Sequence, residues 1–491
     1  MKHLIYTALI AAIMLFGGCS KDFLDTLPKG LVIAKSTNDF RLLLDNADTR
    51  YLNNLAQVSG YVDIVSDDSQ LDSVWYDWER ENLHARKLYA FESEIWTPDG
   101  PAGDDVWKQN YYISTLVSNI LDQIHIADDN PSLQRQLIAE AKVHRAYAYL
   151  TLVNIYAKHY NPATASSDPG VPLIGNPAQL PSLERSSVQE IYDFILRELL
   201  ASVDDLPDDV FTQFSHRPTK VSTYAILART YLYMGDYEKA LHYADLSLSI
   251  RDFLYAYDDI YNGAPLAENV IGISRTTDQE MLLFKTTTRN AGLNTYMKLD
   301  IPSFNALYDG YEIINDSVVA NYDLRRLLWF DGFSATGQPR GDRVSYVFNN
   351  GFHRYSADGG GRLSYISVAT PEMYLIRAEC NARLNNLPEA LNDINKLRRH
   401  RYRAGTYTDA TVSQIGNQQA VLDEVLKERR RELYGKELRL FDVKRLALAV
   451  THLEPGTANV GYQLPAGDPK LIWPVHYKYL EMNPEIGQTN R

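Results

Sequence analysis

Cysteine is nearly absent: the chain has two, Cys19 and Cys380, in 491 residues. That excludes a disulfide framework and any zinc site built on closely spaced thiolates. Positive charge is in deficit, with 49 Lys and Arg against 62 Asp and Glu and a net charge of −13. A nucleic-acid binder needs a basic face to displace counterions, so that class is disfavoured. Long apolar runs are missing except for Leu4 to Phe16, which is short of the roughly 20 residues that span a bilayer. Sequences of the HExxH, Walker, GxSxG and EF-hand types are absent, and no His stands at metal-ligand spacing from a second His or Cys. Gly359-Gly360-Gly361 is no phosphate cradle, because no Lys-Ser/Thr follows it. No cofactor or metal is therefore expected.

The apolar run follows Lys2 and ends in Gly17-Gly18-Cys19. Small residues before a cysteine suit a lipoprotein signal peptidase, whose pocket must admit the backbone there. Residues 1–18 read as a signal peptide, Cys19 as the lipidation site, and 19–35 as a lipidated tether. The expected product is exported, lipid-anchored to a membrane and otherwise soluble. Cys380, in an apolar helical stretch, reads as a buried inert thiol.

Helical periodicity dominates the rest. Helices are expected at 36–47 behind Ser36 or Thr37, after Asp104 or Asp105, over Leu133 to Tyr156, over Ser187 to Leu206, from Pro218 in a first turn, and within Gln418 to Ala449. Ala225 to Leu241 reads as two helices around Gly235-Asp236-Tyr237, with small and large apolar residues placed as in a tetratricopeptide repeat. Ile376 to Leu391 echoes it. Between the two copies lies an insert, 251–369, with poor helical period. Residues 60–103 read as long aromatic-rich loops.

Acidic pairs abound: Asp67-Asp68, Asp104-Asp105, Asp128-Asp129, Asp204-Asp205 and Asp258-Asp259. Most read as caps or solvated turns, whereas a glycosidase needs two carboxylates at a set separation. The basic clusters Arg398 to Arg403 and Lys427 to Glu432 read as a helix terminus and an ion-pair network. Trp107, Trp329 and Trp473 sit in apolar surroundings and read as core. Trp75, Trp78 and Trp96 sit in polar, acidic ones. Exposed indoles there would stack on the apolar face of a sugar while nearby carboxylates bind its hydroxyls. The ligand-binding candidates are Trp75, Tyr76, Trp78, Trp96, Asp67 and Asp68, with Tyr296 from the insert. Tyrosine, at 34 residues against 15 Phe, suits such a surface.

Further motifs occur in a fixed order. They are Ser20-Lys21-Asp22 after the lipidated cysteine, Trp107 with Tyr111, and Ala139-Glu140-Ala141 with Arg145-Ala146-Tyr147. Gly170-Val171-Pro172-Leu173, Glu372 to Glu379, Glu428 to Leu433, Arg439 with Asp442 and Lys444-Arg445, and Asn483-Pro484 follow. Together they resemble the SusD/RagB family of outer-membrane lipoproteins of Bacteroidetes. Glu437 and Leu440 depart from the usual Gly and Trp, and the end reads Gln488-Thr489-Asn490-Arg491. The resemblance implies a mostly α fold: a body of tetratricopeptide-like helix pairs (36–250 and 370–491) with an irregular, loop-rich ligand-binding lobe (251–369). It implies a non-enzymatic protein that captures oligosaccharides at the cell exterior and delivers them to a TonB-dependent outer-membrane transporter. Two other readings stand beside it: a RagB-like peptide-capturing protein with the same lid role, and a secreted glycan hydrolase.

Overall fold

The computed structural model describes residues 34–47, 54–60, 62–71, 83–97, 103–175, 182–209, 212–260, 278–287, 298–308, 311–314, 317–320, 323–331, 343–346, 366–489 and 491. The signal peptide, Cys19 and the Gly359 to Gly361 run lie outside them.

Helix α1, Thr37–Leu44, starts under Ser36 in a capping box closed by Asp39. It buries Phe40 and Leu44 and sends Arg41 to Glu140. Helix α2, Leu83–Tyr89, falls where only loops were expected. Its Leu88 and Tyr89 are fully buried, and Tyr89 stacks on His452 at 4.3 Å, so tertiary packing sustains a helix with little period of its own. Helix α3, Asp105–Gln123, begins at Asp104, whose carboxylate accepts from the Val106 and Trp107 amides. Helix α4, Pro131–Tyr156, starts two residues before the expected Leu133, because Asn130 caps it and Pro131 suits the first turn. Its buried Ala139, Ala141, Ala146 and Ala148 let α3 and α5 approach closely.

Helix α5, Val188–Leu200, is capped by Ser187 and Glu190. The expected run to Leu206 breaks at Leu200, where Ser202, Asp204 and Asp205 favour a tight 3-10 turn over helix. Helix α6, Lys220–Met234, is capped by Thr219, so Pro218 stands before the cap and not in the first turn.

The repeat-like pairs form as the pattern predicts. Helix α7, Tyr237–Ile250, packs antiparallel on α6 after Gly235, which takes the left-handed conformation (φ 77°) that glycine accepts without strain. Helices α8, Thr370–Arg383, and α9, Leu387–Arg401, repeat the arrangement, with Asn385 (φ 66°) at the turn. Helix α8 also packs on α7 and on α10, Gln418–Glu432, and α11, Arg439–Arg445, follows. This stacking builds one large apolar core, which includes Trp107, Trp473 and the thiol-bearing Cys380. Burial pushes that thiol well above its ordinary range, which keeps it protonated and inert.

The described parts of 251–369 are short strands, turns and three short helices, Tyr257–Ile260, Ile301–Leu307 and Arg325–Leu328. Lys298–Asp300, Arg343–Tyr346 and Phe330–Asp331 form an antiparallel three-stranded sheet, and Tyr311–Ile314 pairs with Ser317–Ala320. A second apolar cluster, around Phe304, Tyr308, Trp329 and Phe330, lies here and takes in Tyr434 from beyond α10, whose ring is 5.3 Å from that of Phe330. No helix of the described residues is long and apolar enough to cross a membrane.

Candidate functional site

Asp67 and Asp68 follow the 3-10 turn Val62–Val65. Arg439 donates to Asp67 at 2.7 and 2.9 Å, and Arg430 donates to Asp68 at 2.7 Å. Tyr434 adds a bond to the Asp68 carbonyl at 2.8 Å. Burial raises the Asp67 carboxyl, but the Arg439 and Arg430 guanidiniums outweigh it and hold the group below the ordinary carboxylate range. Both carboxylates are thus engaged within the chain. They fasten the 62–71 segment to α10 and α11, which corrects their reading as ligand contacts and as solvated turn residues.

Trp96 is corrected in the same way. It is 9% exposed, its indole N–H donates to the Pro474 carbonyl at 2.8 Å, and its ring lies on His84 and His476. The polar surroundings that suggested a wet indole are the partners of a buried one. Trp75, Tyr76, Trp78 and Tyr296 lie outside the described residues.

The basic clusters join the insert to the helices. Arg325 bonds Asp323, Glu428 and Glu432, Arg401 bonds Glu432 and Glu280, and Arg398 bonds Glu428. Against the cost of burial, Arg325, Arg398 and Arg431 hold the Glu428 carboxyl well below its usual range. Cations this closely paired are an ion-pair network, as their alternating sequence suggests. Nearby, Tyr255, Tyr257, Trp329 and Glu280 line a slot of about 50 Å³. That is small against the roughly 300–1,000 Å³ of ligand pockets.

A cleft of about 890 Å³ lies where the C-terminal ends of α4, α6, α8 and α11 converge. Its lining includes Lys158, His159, Tyr160, Asn161, Tyr237 and Lys444. Lys444 donates to the carbonyls of Asn154 at 2.5 Å and Ala157 at 2.6 Å, closing the end of α4. Lys158 pairs with Asp168 at 2.7 Å, and Arg383 lies over the Tyr237 ring at 4.8 Å while bonding Glu379. None of these residues was a sequence candidate. The available signal was His159-Tyr160-Asn161-Pro162 directly after a long helix, a polar–aromatic loop beginning where carbonyls need donors.

A helical-repeat body with a strand-bearing insert is a recognised protein class, and comparison with known proteins places the chain within it. A family model described as "Starch-binding associating with outer membrane" matches residues 22–232, and the SusD family model matches 305–489. SusD-like protein P2 of Formosa agariphila is 25% identical over 412 residues, covering 74% of this chain and 77% of that one. A SusD superfamily protein from Bacteroides thetaiotaomicron has the same fold, with a TM-score of 0.69 at 18% identity over 93% of this chain and all of the other. A SusD-like carbohydrate-binding protein from Bacteroides vulgatus gives 0.66 at 17%, over 92% and 98%. The chain belongs to the SusD/RagB family.

Proposed function

We propose that this protein is a surface lipoprotein that binds oligosaccharides and hands them to a TonB-dependent outer-membrane transporter. The observation that carries this reading is the family match along both halves of the chain, the model over residues 22–232 naming starch binding and the outer membrane and the one over 305–489 the SusD family. Gly17-Gly18-Cys19 supports the lipid anchor, and Ser20-Lys21-Asp22 supports display at the exterior. Trp75, Tyr76 and Trp78, beside Asp72 and Asp77 in sequence, supply the ring faces a sugar would stack on, and Tyr296 of the insert joins them. The protein acts by binding and performs no chemistry.

The delivery step is tested by purifying the lipidated protein from its native membranes in mild detergent. A large outer-membrane barrel should co-purify in stoichiometric amount. Isolation of the protein alone, under conditions that keep other outer-membrane complexes intact, contradicts the transporter role.

A further inference from the structure

His452 sits in the strand Val450–Leu453, which pairs with Val460–Leu464. Its side chain is fully buried and reaches two segments that are distant in sequence. Nε2 lies 2.8 Å from the Ser66 carbonyl, just past the 3-10 turn Val62–Val65. Nδ1 lies 2.8 Å from the carbonyl of Tyr89, the last residue of α2. The imidazole stacks on the rings of Tyr89 at 4.3 Å and Phe91 at 4.6 Å. Gln70 accepts from the Leu453 amide at 2.8 Å, and the Tyr89 hydroxyl donates to the Leu453 carbonyl at 2.7 Å. One strand therefore fastens both 62–71 and 83–91. In the sequence these segments border 72–82, the stretch that carries Trp75, Tyr76 and Trp78.

Two carbonyls ask for two donors, and a neutral imidazole has one. The neutral ring leaves one carbonyl facing a lone pair, while the doubly protonated ring satisfies both and carries a buried charge. Burial pulls the imidazole below its ordinary range, against the two carbonyls and the Asp67 charge, which push it up. Asp67 is itself held by Arg439 and Arg430. Asp63 and Asp68 stand on the first segment, and His84, Arg86 and Lys87 stand on α2. Tyr462, opposite His452 on the paired strand, sets its ring edge-on to Tyr89. An imidazole in water takes its proton near 6.5, more readily than this buried one. A proton gained below that pH therefore favours the state in which the ring reaches water.

We infer that His452 is a proton-sensitive bracket: neutral, it holds 62–71 and 83–91 on the Val450–Leu453 strand, and a second proton releases them. Its effect on ligand capture rests on the glycan-capture reading, in which the residues between the two segments carry the sugar-stacking rings. Captured glycan should then be held more weakly in mild acid than at neutral pH.

Hydrogen exchange read by mass spectrometry on the mature protein, at pH 7.5 and 5.5 and corrected for intrinsic rates, tests the bracket. Peptides covering 62–71 and 83–91 should open more in acid, by up to ~10-fold per pH unit below about 6.5, while those of α4 stay unchanged. His452→Gln keeps a side-chain donor that does not titrate and should remove the pH dependence. His84→Gln should leave it in place, which separates the two imidazoles. If His452→Gln does not fold, His84→Gln carries the test, since His452 is then the remaining imidazole of the two joined segments and their strand. Exchange that is independent of pH, that rises equally along α4, that rises equally in His452→Gln, or that loses its pH dependence in His84→Gln overturns the inference. Affinity electrophoresis at the same two pH values reads the consequence separately. Acid-weakened retention by wild type but not by His452→Gln joins the bracket to capture. Acid opening with unchanged retention leaves the bracket standing and counts against the rings of 72–82 as the glycan contacts.

Discussion

Arg229 of α6 and Glu372 of α8 meet as a bidentate pair, Nε to Oε1 at 2.7 Å and Nη2 to Oε2 at 2.5 Å, with both side chains at most 3% exposed. Arg229 also donates to the Tyr147 hydroxyl at 3.1 Å, so one guanidinium ties α4, α6 and α8 together. Glu372→Ala would strand a buried cation and should cost about 3–5 kcal/mol. The double replacement Arg229→Met/Glu372→Leu should cost much less, because it leaves no unpaired charge. Urea denaturation of the three variants against wild type measures both.

Lys285 gives a prediction with a pH signature. Its ammonium is buried, donates to the Leu55 carbonyl at 2.8 Å, lies 3.1 Å from His144 Nδ1, and is pulled down to about 7 by burial. The unfolded chain binds this proton below about 10.5, so wild-type stability should rise with pH between about 7 and 10.5. Lys285→Met removes the titrating group. Its stability gain over wild type should be largest at pH 7 and below and fade as pH climbs toward 10. Melting temperatures of both proteins across that range test the sign.

The aromatic residues should separate by role. Trp96→Phe loses the bond to Pro474 and should cost about 1 kcal/mol of stability while leaving glycan binding unchanged. Asp68→Ala removes one of the two carboxylates that hold Arg430, leaving Asp67 at 3.1 Å, and should likewise lower the denaturation midpoint. Trp75→Ala/Trp78→Ala should do the reverse, weakening glycan retention with little change in midpoint. Affinity electrophoresis beside thermal melts distinguishes the two patterns.

The helices were legible because their signals are local. Ser36, Asp104 and Ser187 announce starts, and Gly235-Asp236-Tyr237 announces a turn, each within a few residues. Helix α2 was not legible, since its support comes from His452, more than 360 residues away. The candidate site was read less well for the same reason. Nothing beside Asp67, Asp68 or Trp96 in sequence reveals Arg439, Arg430 or Pro474. An acidic, aromatic segment looks alike whether its partners are solvent or a distant part of the same chain.

The anchor has its own test. Cys19→Ala should leave the melting curve of the body unchanged and move the protein from the membrane fraction to the soluble one. Membrane association of that variant after a high-salt wash would contradict lipidation at Cys19.

Retention of the mature protein on a panel of plant, algal and bacterial polysaccharides tests glycan capture most directly, run side by side with Trp75→Ala/Trp78→Ala. The account predicts that at least one polysaccharide retards the wild type and that the double variant migrates as if none were present. Failure of every polysaccharide to retard the wild type, or equal retardation of the folded variant, would contradict it.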